Sequence, residues 1–177
     1  MKTALVIIDV QEAMFQQPTP PHHGAAVVAR IASLLARARA ERVPVYFVQH
    51  DGGPGDDFER GTPSWQIHAP LAPLPGEPIV EKRHPSAFHD TDFDTLLKRA
   101  GIGRLVICGM QSEYCVDSTC RAGYGLGYKI VLVSDAHTTF DSPVLPATQI
   151  RNHHNQTLSG SFVDCKAAAE VAFSTDA

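Results

Sequence analysis

Short apolar runs rich in β-branched residues recur along the chain, at Ala4–Ile8, Val43–Val48, Pro78–Val80, Leu105–Cys108, Ile130–Val133 and Ser161–Val163. Between most of them, apolar residues return every three or four positions. Ala25–Glu41 is the clearest case, with Val27, Ile31, Leu34, Leu35 and Ala38 on one stripe, the spacing of an amphipathic helix. Further helices are predicted over Asp92–Ala100, closed by Gly101, over Cys115–Gly125, and over Leu145–Leu158 after Pro143 and Pro146. The strands are continuously apolar instead of alternating, which predicts a parallel sheet covered on both faces. Alternation of strand and helix then predicts one α/β domain over residues 1–177. Its expected form is a three-layer Rossmann-like fold, a mostly parallel six-stranded sheet with helices on both faces.

One segment breaks this rhythm. From His50 to Pro78 the chain is dense in glycine and proline and holds its one tryptophan, Trp65. A loop this long in a small domain is usually a lid or a binding loop.

Composition narrows the function. The formal net charge is −4 and no Lys/Arg run stands out, which disfavours nucleic acid as a partner. The N-terminal apolar run is interrupted at Asp9, so it is too short and too charged for a signal peptide or a membrane span. A cytoplasmic location is the expectation. The cysteines at 108, 115, 120 and 165 form no C-x-x-C pair, in keeping with a reducing compartment. Cys108 and Cys165 read as packing residues.

In open α/β sheets, ligands bind beyond the carboxyl ends of the strands. The residues expected there are Asp9, then Gln49-His50-Asp51, Lys82, Cys115, and Ser134-Asp135-Ala136-His137. Three strands thus deliver a carboxylate, an ammonium and a thiol to one edge. Cys115 is predicted at a helix start, where free N–H groups and the helix dipole favour thiolate and can bind an oxyanion. The plainer readings are a buried small hydrophobe for Cys115, a turn cap for Asp9 and a solvated charge for Lys82. Asp135 reads better as a helix cap or turn former.

Three stretches in order make the chain resemble the isochorismatase-like superfamily of cysteine hydrolases, which includes nicotinamidases and N-carbamoylsarcosine amidases. They are A-L-V-I-I-D-V-Q with Asp9, E-K-R-H-P-S-A-F with Lys82, and C-G-M-Q-S-E-Y-C with Cys115; V-S-D-A-H-T-T-F follows downstream. The resemblance implies a doubly wound sheet, a catalytic triad of Asp9, Lys82 and Cys115, and a non-proline cis peptide at Met110–Gln111. The backbone N–H groups of Gln111 and Cys115 would form the oxyanion hole. The implied reaction is C–N hydrolysis of a small carboxamide, ureido or carbamoyl compound through a Cys115 thioester. Asp9 is the acid/base and Lys82 its electrostatic partner. Two alternatives stand beside it, vinyl-ether hydrolysis of the isochorismatase type and a non-catalytic binding protein on the same scaffold.

Phe15, Trp65, Tyr114 and Gln11 are the expected substrate contacts, with His84 a weaker candidate. Nicotinamidases of the superfamily hold a divalent metal in the loop after the second strand. Here Gln49 replaces a carboxylate, Asp51 and Asp57 replace histidines, and only His68 matches a ligand position. No metal and no other cofactor is expected. By resemblance the protein is expected to be a homodimer or homotetramer, with Leu145–Leu158 offering a contact surface.

Overall fold

The computed structural model describes residues 1–174. Its six strands are β1 (Lys2–Ile8), β2 (Val45–His50), β3 (Ile79–Lys82), β4 (Ile102–Met110), β5 (Lys129–Thr138) and β6 (Asp164–Lys166). They pair in the order β3-β2-β1-β4-β5-β6, and every pairing is parallel. The helices are α1 (Glu12–Phe15), α2 (Gly24–Ala40), α3 (Phe93–Arg99), α4 (Asp117–Gly125) and α5 (Ala147–Leu158). None of the described helices is long and apolar enough to cross a membrane.

The apolar runs are continuous because each strand feeds two cores. Leu5 and Ile7 of β1 pack with Val27, Ile31 and Leu34 of α2 on one face. Ala4, Val6 and Ile8 pack with Phe93 and Leu97 of α3 and with Cys120 of α4 on the other. In α2, Val27, Val28, Ile31, Leu34, Leu35 and Ala38 are buried, the stripe its periodicity announces.

Several predicted boundaries shift for identifiable reasons. The strand expected at Ser161–Val163 forms instead at Asp164–Lys166, a half-exposed edge strand without an apolar pattern. Val163 turns into the core and bridges to Ser159. Helix α5 starts at Ala147, after Pro146 in extended conformation. Its buried positions Ala147, Ile150 and Leu158 face inward, so the apolar surface expected over Leu145–Leu158 reduces to Leu145 and the neighbouring Val144.

The largest departure is in β5. It does not end at Val133 but continues to Thr138 through an excursion. Ile107 pairs with Leu132, yet Gly109 pairs with His137, so β5 spends three residues more than β4 over this interval. Asp135 sits in the excursion, where its carboxylate accepts the Ala168 N–H at 2.8 Å and pairs with Arg30 at 3.3 Å. It caps the short 3-10 turn Ala168–Glu170 and not a helix following the strand.

At the switch point between β1 and β4 the chains approach closely. Gly109 has φ +125, and a Cβ there would overlap the backbone of Ile8. Gly109→Ala is therefore expected to lower stability by about 2–4 kcal/mol, measured as a denaturant midpoint. Gly125→Ala, on an open helical position, serves as the control and should be neutral or slightly stabilising.

Candidate active site

The carboxyl ends of β1, β3 and β4 bring together a carboxylate, an ammonium and a thiol. Asp9 follows β1 in a left-handed conformation, φ 48, with its N–H bonded to Val48 O at 3.0 Å. Lys82 is the last residue of β3. Its Nζ stands 2.6 Å from Asp9 Oδ2 and 3.2 Å from Cys115 Sγ, to which it donates. A weaker contact of 3.5 Å reaches His50 Nδ1 at the end of β2. The Lys82 and Asp9 side chains are 0% and 1% exposed. Neither oxygen of Asp9 accepts a well-aligned hydrogen bond, so the contact is a close ion pair in low dielectric with acceptor capacity to spare.

The charges set the protonation states. Burial alone would lower the pKa of the Lys82 ammonium, but Asp9 and Cys115 beside it hold it above the ordinary lysine range. Burial and then the Asp9 carboxylate push the Cys115 thiol up to about 12, against the opposing pull of Lys82. This runs against the expectation that a helix start would hold a thiolate: the sulfur is desolvated and faces an anion, and both favour the neutral thiol. The His50 pKa is lowered by burial and by Lys82, which favours the neutral ring.

The local backbone also differs from the regular helix expected at Cys115. Ser112–Val116 forms a wide turn in which Val116 N–H reaches back to Gln111 O at 3.2 Å, and α4 begins only at Asp117. The preceding Met110–Gln111 peptide is cis. The end of β5 ties this turn down twice. Asn155 donates to Ser134 O at 3.0 Å, which leaves its Oδ1 to accept from His137 Nε2 at 2.8 Å. His137 Nδ1 then accepts from the Ser112 hydroxyl at 2.7 Å. Thr139 Oγ1 accepts from Gln111 Nε2 at 3.2 Å and donates to Glu113 at 2.7 Å. His137 is wholly buried, and burial lowers its pKa to about 4.

A cavity of about 330 Å³ opens onto Asp9 and Cys115, with Gln111, Tyr114, His50, Met14, Phe58, Pro85, Asp56 and Asp57 completing its wall. Of the expected substrate contacts, Tyr114 lies in this wall. Phe15, Trp65 and Gln11 do not. Phe15 stacks on His68 at 4.0 Å, away from the cavity. Gln11 is fully buried and serves the loop over residues 51–78, donating to His50 O and Trp65 O and accepting from His50 N–H. Gln49 also donates to Trp65 O, so Trp65 is an anchor point of the loop. The loop aromatic in the wall is Phe58. His50, expected at this edge from its place at the end of the second strand, is in the wall, whereas Met14 and Phe58 carry no sequence signal that points there.

The three positions of the family's metal loop do not converge. Asp51 accepts from Arg83 and from Gly53 N–H, Asp57 from Gln17, and His68 bonds Glu12. Among the described residues, only His84, His89 and Asp90 bring three such donors within 4.8 Å of one another. His84 is thereby engaged with Asp90 and stacked on His89, outside the cavity wall.

Comparisons with known proteins agree with this architecture. The isochorismatase domain family matches residues 3–158. A streptothricin hydrolase of Streptomyces noursei is 41% identical over 143 residues, which is 81% of this chain and 52% of the relative. The chain thus spans about half the length of that relative. A ureidoacrylate amidohydrolase of Methylorubrum extorquens is 28% identical over 98% of this chain and 84% of its own length. The crystal structure of a cysteine hydrolase from Pseudomonas syringae pv. phaseolicola superimposes with a TM-score of 0.88 at 29% identity, covering 96% of this chain and 90% of that one.

Two outcomes follow from the charges. Removing the Asp9 charge leaves Lys82 beside the sulfur, so Asp9→Asn should lower the Cys115 pKa and speed its alkylation by iodoacetamide at pH 7.5 by about tenfold or more. Peptide mass spectrometry at Cys115 reads this separately from the half-buried Cys165. The depressed pKa of His137 means the fold prefers its neutral form. That contribution is complete above about pH 6.5 and is lost as pH falls toward 4, on the order of 3 kcal/mol. Denaturant midpoints between pH 7.5 and 4.5 should fall for the native chain and show a flatter slope for His137→Gln.

Proposed function

The chain belongs to the isochorismatase family, and we propose that it is a cysteine-dependent amidohydrolase, cleaving a C–N bond of a small carboxamide, ureido or carbamoyl compound. The observation that carries this reading is the single ammonium of Lys82 bridging a buried carboxylate and a thiol on one cavity wall. A vinyl-ether hydrolase has no need of a sulfur in that position. Relatives named for streptothricin and ureidoacrylate hydrolysis support C–N cleavage in the same framework.

With the thiol neutral at rest, proton loss accompanies attack. Asp9 takes the Cys115 proton as Sγ bonds to the substrate carbonyl carbon, and the carbonyl π electrons move onto oxygen. The N–H groups of Gln111 and Cys115 receive that oxyanion. Its collapse breaks the C–N bond. Asp9 gives the proton to the departing nitrogen, so ammonia or an amine leaves and a thioester remains on Cys115. A water then attacks the thioester carbon while Asp9 accepts its proton. Collapse breaks the C–S bond, the acid leaves, and the proton returns to sulfur. Throughout, Lys82 keeps its proton and offsets the charge passing between Asp9 and Sγ. The His137 and Thr139 contacts hold the turn that carries the sulfur and the Gln111 amide.

The test is ammonia or amine release over a panel of small amides, ureas and carbamoyl compounds. Cys115→Ala and Asp9→Asn should each lower kcat by roughly 10³-fold or more, with an acyl adduct at Cys115 visible by mass spectrometry in acid-quenched native enzyme. Full activity in Cys115→Ala would remove the reading.

A further inference from the structure

The cavity wall has a charge that the proposed chemistry does not use. Asp56 and Asp57 lie side by side in it, exposed, on the loop over residues 51–78. Asp56 Oδ1 accepts the Phe58 N–H at 2.8 Å, and Asp57 Oδ2 accepts from the neutral Gln17 amide at 2.9 Å. Among the described residues, neither carboxylate has a cationic partner. Other acids of this region do, since Asp51 meets Arg83, Glu77 meets Arg39 and Glu81 meets Arg60. The wall itself contains no lysine or arginine. Lys82 lies beneath it, fully buried, with its charge matched by Asp9. Asp9, in the same wall, is 1% exposed, and both its oxygens lack a well-aligned donor. Two aromatic residues, Phe58 and Tyr114, also line the cavity, and aromatic faces suit a cation.

The mouth therefore holds two uncompensated negative charges above a neutral triad. A carboxylate-bearing substrate is repelled there, and a cation is concentrated. We propose that the substrate is a cationic amide, whose amine, guanidinium or amidinium group sits against Asp56 and Asp57 while its carbonyl reaches Cys115. This rests on the amidohydrolase reading for the fate of the carbonyl, and on the wall alone for the charge. It sets the chain apart from the ureidoacrylate type of substrate, which carries a carboxylate.

Two measurements test it. The first needs no turnover. Cys115 is modified with methanethiosulfonates bearing a trimethylammonium, a neutral methyl or a sulfonate group; each forms a mixed disulfide at sulfur and releases methanesulfinate. Rates are divided by those of a free thiol at the same pH. The cationic reagent is expected to exceed the anionic one by about tenfold or more at low ionic strength, with the ratio shrinking in 0.5 M salt. In the Asp56→Asn/Asp57→Asn protein the ratio should fall to near one. The second compares kcat/KM for 6-aminohexanamide, hexanamide and adipamic acid, expected to fall in that order. A reagent ratio of one in the native chain, or one unchanged in the double variant, overturns the proposal. A retained ratio with no amide hydrolysed by any member of the panel instead removes the amidohydrolase reading and leaves the charge selectivity standing.

Discussion

A buried ion pair governs this molecule. Asp9 and Lys82 come from the ends of two strands separated in the sheet by β2, and each is almost wholly withdrawn from water. Either charge alone at this depth would cost several kcal/mol. Together they are tolerable only if the strand ends are held in register, and this ties the chemistry to the architecture. The parallel order with its reversal between β1 and β4 brings Asp9, Lys82 and Cys115 to one edge. The close contact of Gly109 with Ile8 then sets how near the strand carrying the sulfur can come.

The same pair decides how the sulfur behaves. A thiol beside a lone lysine would ionise readily, whereas one beside a matched pair stays protonated until a carbonyl arrives. A sulfur held in that way has little thiolate character, the form that oxidises most readily. In the proposed mechanism it also makes proton transfer to Asp9 part of bond formation instead of a step before it.

Much of this was legible in the sequence, and the losses have physical causes. The continuous apolar runs gave the sheet, its parallel sense and its helical layers, because a strand buried on both faces leaves little room for polar residues. Asp9, Lys82 and Cys115 stood out because each follows such a run. What sequence could not supply was the path of the chain where polar groups bond to one another. Ser134 and Asp135 look like the end of a strand, yet β5 resumes beyond them to deliver His137 and Thr139. Gln11 and Trp65 look like pocket residues, yet they bond each other across the loop, while Phe58 takes the place in the wall. For Cys115, local helix geometry points to an ionised sulfur, whereas the burial and facing carboxylate that raise its pKa are properties of the folded state.

The excursion in β5 divides that strand into two splices with separate duties. Lys129–Val133 belongs to the hydrophobic scaffold, and His137–Thr139 to the furniture around the sulfur. Because side chains alternate along extended backbone, loss or gain of one residue between them would turn the distal part over while leaving the proximal part seated. Both tethers would then release the turn that carries Cys115 with little change to the scaffold. The joint at 134–136 is thus a place where a single-codon insertion or deletion can retune or silence the chemistry of an otherwise intact domain.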